Sequence, residues 1–195
     1  MNREDLLELH YITPIENVPS ILKHGILSHQ KAASLAHRSV AMQEIQDRRA
    51  KIVIPGAGRR LHEYANLYIC ARNPMLYKRR HEHICVLSID SAVLDLKGVI
   101  VTDQNAAGDY VSFRPAPEGL RYVCKDLAFA EDWRDPDEIQ YWRKKSAKCA
   151  EVLVPDRVGP EYIQHAYVAS VEMKTQMDAL NTGLDVRVDG HMFFR

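Results

Sequence analysis

One carboxylate in this chain is placed where chemistry could use it. Lys148-Cys149-Ala150-Glu151-Val152-Leu153-Val154 reads as an apolar strand with Glu151 at its entrance. A carboxylate entering a buried strand costs free energy unless it is paired or has a task. Two readings follow: a strand-edge glutamate paired with a nearby lysine, and a functional acid. A second constellation is His81-Glu82-His83-Ile84-Cys85. On a strand, residues 81, 83 and 85 would share a face and offer nitrogen and sulfur ligands to zinc. They sit at a strand start beside three basic residues and a fourth ligand is not evident, so the sequence reads against a metal. His24 and His165 read as structural. Pro55-Gly56-Ala57-Gly58-Arg59-Arg60 is glycine-rich, but it lacks the Gly-Lys-Ser/Thr ending of a phosphate loop. Neither a Gly-x-Gly-x-x-Gly fingerprint nor a Gly-x-Ser-x-Gly elbow occurs.

These residues need elements to hold them. Residues 8–13 read as a first strand. The next helix has two possible starts: a capping box at Thr13-Pro14-Ile15-Glu16, and an N-cap at Asn17 with Pro19 in the first turn. Ile21 and Leu22 face the core, and Gly25 ends the helix. Ser39 to Arg49 reads as a second helix, with Val40, Ala41 and Ile45 on one side. Leu67–Ala71, Ile84–Ile89 and Gly98–Thr102 read as strands, residues 103–109 as a loop, and Tyr110–Phe113 as a further strand broken by Pro115–Gly119. Asp135–Lys145 reads as a helix. Ala150–Val154 and Ala166–Ala169 read as strands. Ser170 caps a helix carrying Met173, Met177 and Leu180, closed by Gly183, and Leu184–Val188 and Met192–Phe194 read as final strands. Strands outnumber helices, and many connections are too short for helical crossovers. The pattern predicts an α+β fold with a largely antiparallel sheet.

A length of 195 residues is ordinary for a single domain, here residues 1–195, with a core that needs no metal or disulfide. Hydrophobic residues at 46% and charged residues at 27% exclude disordered, collagen-like and disulfide-scaffold chains. Acids at the N-terminus argue against a signal peptide, and no apolar run approaches a membrane span. Cys70, Cys85, Cys124 and Cys149 form no Cys-x-x-Cys pair, which suits a reducing cytoplasm. Lysine plus arginine equals aspartate plus glutamate at 26 each, yet charge is segregated. Residues 48–80 hold nine basic residues and a single acid, Glu63. Arg143, Lys144, Lys145 and Lys148 form a second basic cluster, and residues 131–138 hold five acids. From charge alone, the favoured reading is a solvated surface that pairs with the acidic stretch. A local patch of this kind can also meet a polyanion.

Several stretches together resemble the DarT family of DNA ADP-ribosyltransferase toxins. His10-Tyr11-Ile12-Thr13-Pro14-Ile15-Glu16-Asn17, with the helix to Gly25, resembles the family's opening Tyr-His-x-Thr-His-x-Asp-Asn element. Residues 38–49, Arg38-Ser39 through Arg48-Arg49, resemble its second element. Leu61-His62-Glu63-Tyr64, followed by Leu67-Tyr68-Ile69-Cys70-Ala71-Arg72-Asn73-Pro74-Met75-Leu76-Tyr77, is similar to its most specific signature. Ala150-Glu151-Val152-Leu153-Val154 matches the family's Ala-Glu-Phe/Ile-Leu-Val, and the close Gly190-His191-Met192-Phe193-Phe194 is similar to its aromatic end.

The resemblance implies an ADP-ribosyltransferase fold: a split, mostly antiparallel sheet with a central NAD cleft and helices around it. It implies transfer of ADP-ribose from NAD, a co-substrate, to a base of single-stranded DNA without a metal. It also implies a partner antitoxin of the DarG type, whose macrodomain reverses the modification. Glu151 then matches the catalytic glutamate and Arg49 an arginine essential in the NAD site. His10, Tyr11, Thr13, Asn17, Gly25, Leu27, Arg38, Ser39 and Tyr68 fall on the NAD-binding side. Arg48, Arg72, Lys78, Arg79, Lys144, Lys145 and Lys148 are the expected DNA-facing cations. Here the Tyr-His order is His10-Tyr11, and Pro14 replaces the second histidine, which leaves thymine and guanine both open as the base. Acceptors of RNA or protein, and a non-catalytic nucleic-acid-binding domain, are the alternatives.

The chemistry is consistent with those residue types. Breaking the nicotinamide–ribose bond develops positive charge on the sugar, as in glycoside hydrolysis. A carboxylate can stabilise that charge or take a proton from the attacking base. An arginine can hold a pyrophosphate. The attacking base edge must be exposed, which single-stranded DNA provides without unpairing. Tyr64, Tyr68 and Tyr77 are candidates for stacking, with core and cleft packing the plainer reading.

Overall fold

The structure is a computed structural model, and it describes residues 1–39 and 43–195. Ten strands are present among the described residues: β1 (Glu8–Pro14), β2 (Ile26–Leu27), β3 (Tyr64–Tyr68), β4 (Ile84–Asp90), β5 (Ile100–Thr102), β6 (Phe113–Pro115), β7 (Glu151–Pro155), β8 (Arg157–Val158), β9 (Ile163–Val168) and β10 (Val186–Val188). Eight form one sheet in the order β10-β9-β4-β1-β3-β7-β5-β6, and β2 pairs with β8. Every pairing in the large sheet is antiparallel except β9–β10. The helices are α1 (Val18–His24), α2 (His29–Ala32), α3 (Gln43–Lys51), α4 (Pro74–Arg79), α5 (Lys125–Ala128), α6 (Glu138–Ala147) and α7 (Val171–Asp178).

The sheet splits at its middle. β1 pairs with β4 through seven residues in register, and β3 pairs with β7 through five. β1 and β3 meet through the single pair His10↔Tyr68. Two half-sheets therefore diverge on either side of one contact, and their separation opens a cleft. The interior is built from residues such as Leu9, Leu67, Val86, Leu87 and Val152, all fully buried. The buried strands read as nearly continuous apolar runs because both faces are covered.

Several expected boundaries move for local reasons. The strand expected at 67–71 occupies 64–68 instead. The side-chain oxygen of Asn73 accepts from the N–H groups of Met75 and Leu76 and its Nδ2 donates to the Cys70 carbonyl, so residue 70 already belongs to the turn into α4. The strand expected at 110–113 lies at 113–115. It is the sheet edge, where Pro115 needs no N–H to donate. No strand forms at 192–194. The Asp189 carboxylate accepts from the Met192 N–H and Phe194 has φ +63°, so the chain turns and buries Phe193. α6 begins at Glu138 because the Asp137 carboxylate accepts from the Gln140 N–H. Residues 15–17 form a separate 3-10 turn ahead of α1, so the helix uses the later of the two expected starts. The helix expected at 39–49 is seen from Gln43 to Lys51, and Val40 and Ala41 lie outside the described residues. All four cysteines are free. Among the described residues, no helix is long and apolar enough to cross a membrane.

Candidate active site

Glu151 opens β7 and is completely buried. It sits in register between Tyr68 of β3 and Thr102 of β5, so rigid strands flank it on both sides. Its backbone N–H donates to Thr102 Oγ1 at 3.1 Å, and that hydroxyl in turn donates to the Gln104 carbonyl at 2.8 Å. The Ala106 N–H donates to Glu151 Oε1 at 3.0 Å. The charge partner is an arginine, not the lysine the sequence offered. Arg49 Nη1 bridges both carboxylate oxygens at 3.2 and 3.1 Å, and Arg49 is itself 6% exposed. α3 carries Arg49 in its last turn and so delivers the guanidinium to the start of β7.

In front of this pair lies a cavity of about 900 Å3. That is at the upper end of the range for small-molecule and cofactor pockets. Tyr11 and Thr13 of β1, Asn17, Leu27, Arg38, Ser39, Arg49 and Tyr68 all line it. Asn17 fixes the Arg38 backbone from both sides, donating to its carbonyl at 2.7 Å and accepting from its N–H at 3.1 Å. Burial pushes the Tyr11 phenol up to about 12, and burial followed by the nearby Glu151 raises Tyr68 as well, so both remain neutral hydrogen-bonding groups. Glu151 lies behind the wall that Arg49, Tyr68 and Cys149 present to the cavity.

Two expected NAD-side residues are not in this wall. Strand alternation turns His10 away from Tyr11 and Thr13. Its Nε2 meets Glu8 Oε1 at 3.3 Å, in a cluster with Ser88 and Tyr167. Gly25 lines a smaller adjoining cavity that shares Tyr11, Asn17 and Leu27 with the first, and its role is backbone: φ is +84° and a Cβ would run into the Val158 carbonyl. Among the expected DNA-facing cations, Arg48, Lys78, Arg79 and Lys145 line the cleft. Lys144 is held by Asp135 at 2.6 Å. Arg72 is committed elsewhere: it pairs in charge with Glu131, donates to the His191 carbonyl and stacks on Phe194, tying down the C-terminus. Lys148 is a correction. It is 1% exposed, and its Nζ donates to the Ala128 carbonyl at 2.9 Å and faces Cys70 Sγ at 3.3 Å, so it cannot track a phosphate backbone.

Sequence reasoning did not select two histidines that the fold brings to the cleft. His29 and His62 pack ring against ring, centroids 4.2 Å apart, in the cavity wall with Arg49. Burial, then the charge of His29, then that of Arg49 lower His62; burial, His37 and Arg49 lower His29. His62 Nε2 is buried with no hydrogen-bond partner among the described residues. His62 belongs to the Leu61-His62-Glu63-Tyr64 motif, but only tertiary structure brings α2 beside it. His83 is hydrogen-bonded to Gln176, and no group of three metal-ligating side chains converges among the described residues.

A family model described as "ssDNA thymidine ADP-ribosyltransferase, DarT" matches residues 10–194. This chain belongs to the DarT family. Among its relatives is a DNA ADP-ribosyl transferase–DNA ADP-ribosyl glycohydrolase fusion protein of Thermosipho africanus, 30% identical over 96% of this chain and 49% of the fusion. The chain thus spans about half the length of that relative. A DNA ADP-ribosyl transferase of Thermus aquaticus is 28% identical over 88% of this chain and 79% of its own. The solved structure of Thermosipho africanus DarTG in complex with ADP-ribose superposes with a TM-score of 0.84 at 31% identity, covering 96% of this chain and 51% of that one. Thermus sp. 2.9 DarT in complex with ADP-ribosylated single-stranded DNA gives 0.84 at 24% identity over 99% of both chains. The α+β, mostly antiparallel architecture is that of the DarT structures.

Proposed function

We propose that this chain transfers ADP-ribose from NAD to a base, thymine or guanine, of single-stranded DNA and releases nicotinamide. The observation that carries the reading is the buried Glu151–Arg49 pair beneath a cleft opened by the split sheet, in a chain of the DarT family. In this reading NAD lies along Thr13, Asn17, Arg38 and Ser39, with neutral Tyr11 and Tyr68 beside it. A pyrophosphate entering the cleft competes with Glu151 for the Arg49 guanidinium, because charge-assisted bonds to phosphate are strong. Exchange frees the carboxylate to face the ribose as the glycosidic bond breaks and positive charge develops on the sugar. Strand β7, held on both sides and bonded through Thr102, fixes the backbone behind that carboxylate.

The acceptor is single-stranded because a paired base hides its nucleophilic edge. Arg48, Lys78, Arg79 and Lys145, on the cleft wall, are the cations offered to its phosphates. The Thermosipho relative joins a transferase to a glycohydrolase, which supports a macrodomain of the DarG type as the partner that reverses the modification. Four free cysteines suit work in the cytoplasm, and residues 1–195 serve as one catalytic domain. The test is transfer of labelled ADP-ribose from NAD onto single-stranded DNA, duplex DNA, RNA and bulk protein. Label confined to single-stranded DNA supports the reading, and mass spectrometry of the product names the base. Label on RNA or protein instead moves the acceptor, and label on none refutes the activity.

A further inference from the structure

Two thiols beside the active site have no part in the proposed chemistry. Cys149 is buried, lines the cavity with Arg49 and Tyr68, and lies two residues before Glu151. Cys70 is half-buried and lies two residues after Tyr68. Tyr68 and Glu151 are register partners, and the Ile69 N–H donates to the Ala150 carbonyl at 3.1 Å, so the β3–β7 pairing runs one residue beyond them. The next step of that register sets Cys70 opposite Cys149. Opposed residues of antiparallel strands have Cα atoms about 4.5–5.5 Å apart, within the span of a disulfide.

The two sulfurs have opposite surroundings. Reactive cysteines sit in partly exposed, electropositive sites, and buried ones are inert. Cys70 is partly exposed, and Lys148 Nζ donates to its sulfur at 3.3 Å. That sulfur and the Ala128 carbonyl are the partners of the buried ammonium among the described residues, so its charge is free to stabilise negative charge passing through Sγ. Cys149 is different: burial, followed by the charge of Glu151, pushes its thiol up to about 12, and it stays protonated. We propose that Cys70 is a redox-modification site that takes hydrogen peroxide, with Cys149 as its resolving thiol. The Cys70 sulfur attacks one peroxide oxygen, the O–O bond breaks, and a sulfenic acid forms with release of water. The Cys149 sulfur then attacks Cys70 Sγ, the S–O bond breaks, and the hydroxyl leaves with the Cys149 proton as a second water. Two thiols are oxidised to a disulfide and one peroxide is reduced. The new bond draws Cys149 from the cavity wall and pulls on the chain two residues from Glu151, so transfer stops until the bond is reduced. That control of transfer rests on the proposed function; the modification itself does not.

The test treats the full-length chain carrying Cys124→Ser, which removes the exposed thiol, with hydrogen peroxide, and reads intact mass and proteolytic peptides. The expected result is the loss of two hydrogens, a peptide linked through Cys70 and Cys149, and recovery of both thiols with dithiothreitol. Adding Cys149→Ser should halt the reaction at a sulfenic acid on Cys70, trapped by dimedone. Adding Cys70→Ser, whose hydroxyl can still accept from Lys148, should give neither product. Transfer of ADP-ribose should fall about 100-fold with the linkage, as for a misplaced catalytic group, and persist in the peroxide-treated Cys70→Ser protein. A Cys70 left unmodified by peroxide overturns the site, and a linked protein that transfers as fast as the reduced one overturns its control of the reaction. A reduced protein that transfers nothing refutes the functional reading alone, because the linked peptide decides the site.

Discussion

The Arg49–Glu151 pair can be tested by removing each charge and then both. At 3.1 Å and an effective dielectric of about 20, the attraction is about 5 kcal/mol. Desolvation of both groups cancels much of that, because each buried ion costs several kcal/mol. Removing one partner abolishes the attraction but leaves the other ion buried, so each single change should cost about 3–5 kcal/mol. Glu151→Gln falls at the lower end, since glutamine can still accept from the Ala106 N–H. Arg49→Met keeps the apolar volume of the stem but leaves a carboxylate with no cation. The double variant removes both charges and should be more stable than either single variant, a coupling of about 3 kcal/mol. Urea unfolding of the four proteins, with a common m-value, measures this directly. Costs that add to within about 0.5 kcal/mol would show that the pair does not interact as described.

Three further outcomes follow from particular groups. Glu8 is partly buried, which alone would raise its pKa, but hydrogen bonds from His10, Ser88 and Tyr167 and the charge of His10 outweigh burial and hold it at about 2. A carboxylate depressed in the folded state stabilises above its ordinary value near 4.5 and loses that contribution as pH falls toward 2. Glu8→Gln should therefore remove about 2 kcal/mol at neutral pH, after allowance for its part exposure, and flatten the stability curve between about pH 5 and 2; an unchanged acid limb refutes the assignment. Asn73→Ala should cost about 2–3 kcal/mol in chemical denaturation, because two helix N–H groups and the Cys70 carbonyl lose a buried partner; a loss below about 0.5 kcal/mol contradicts it. His29→Asn should raise the His62 pKa in an NMR titration, since the charge of His29 is second only to burial in lowering it; an unmoved resonance sinks the coupling.

What the sequence made legible follows the range of each signal. β1, β4 and β7 are found within a residue of where apolar runs put them, because burial on both faces writes a continuous pattern. Glu151 was recognisable because a carboxylate in such a run is conspicuous. α4 was missed, although Asn73 followed by Pro74 is a cap and a first-turn proline. α2 and the β2–β8 pair are too short to carry any periodicity. The errors in the site share one cause. Lys148 and Arg72 are basic in a basic neighbourhood, and only tertiary structure shows one buried against Ala128 and the other holding the C-terminal turn. His10 fell on the expected strand, but alternation carries its ring away from the cleft. The stack of His29 on His62 joins residues more than thirty apart and leaves no local trace.

The central claim is that Glu151 drives transfer from an NAD molecule held in the cleft. The direct measurement is single-turnover transfer of ADP-ribose to a single-stranded oligonucleotide by the wild type and by Glu151→Gln, with NAD binding to each measured by calorimetry. The account predicts NAD bound by both and transfer slowed at least about 1,000-fold in the variant, as for loss of a principal electrostatic stabiliser. Equal transfer by the two proteins would contradict it.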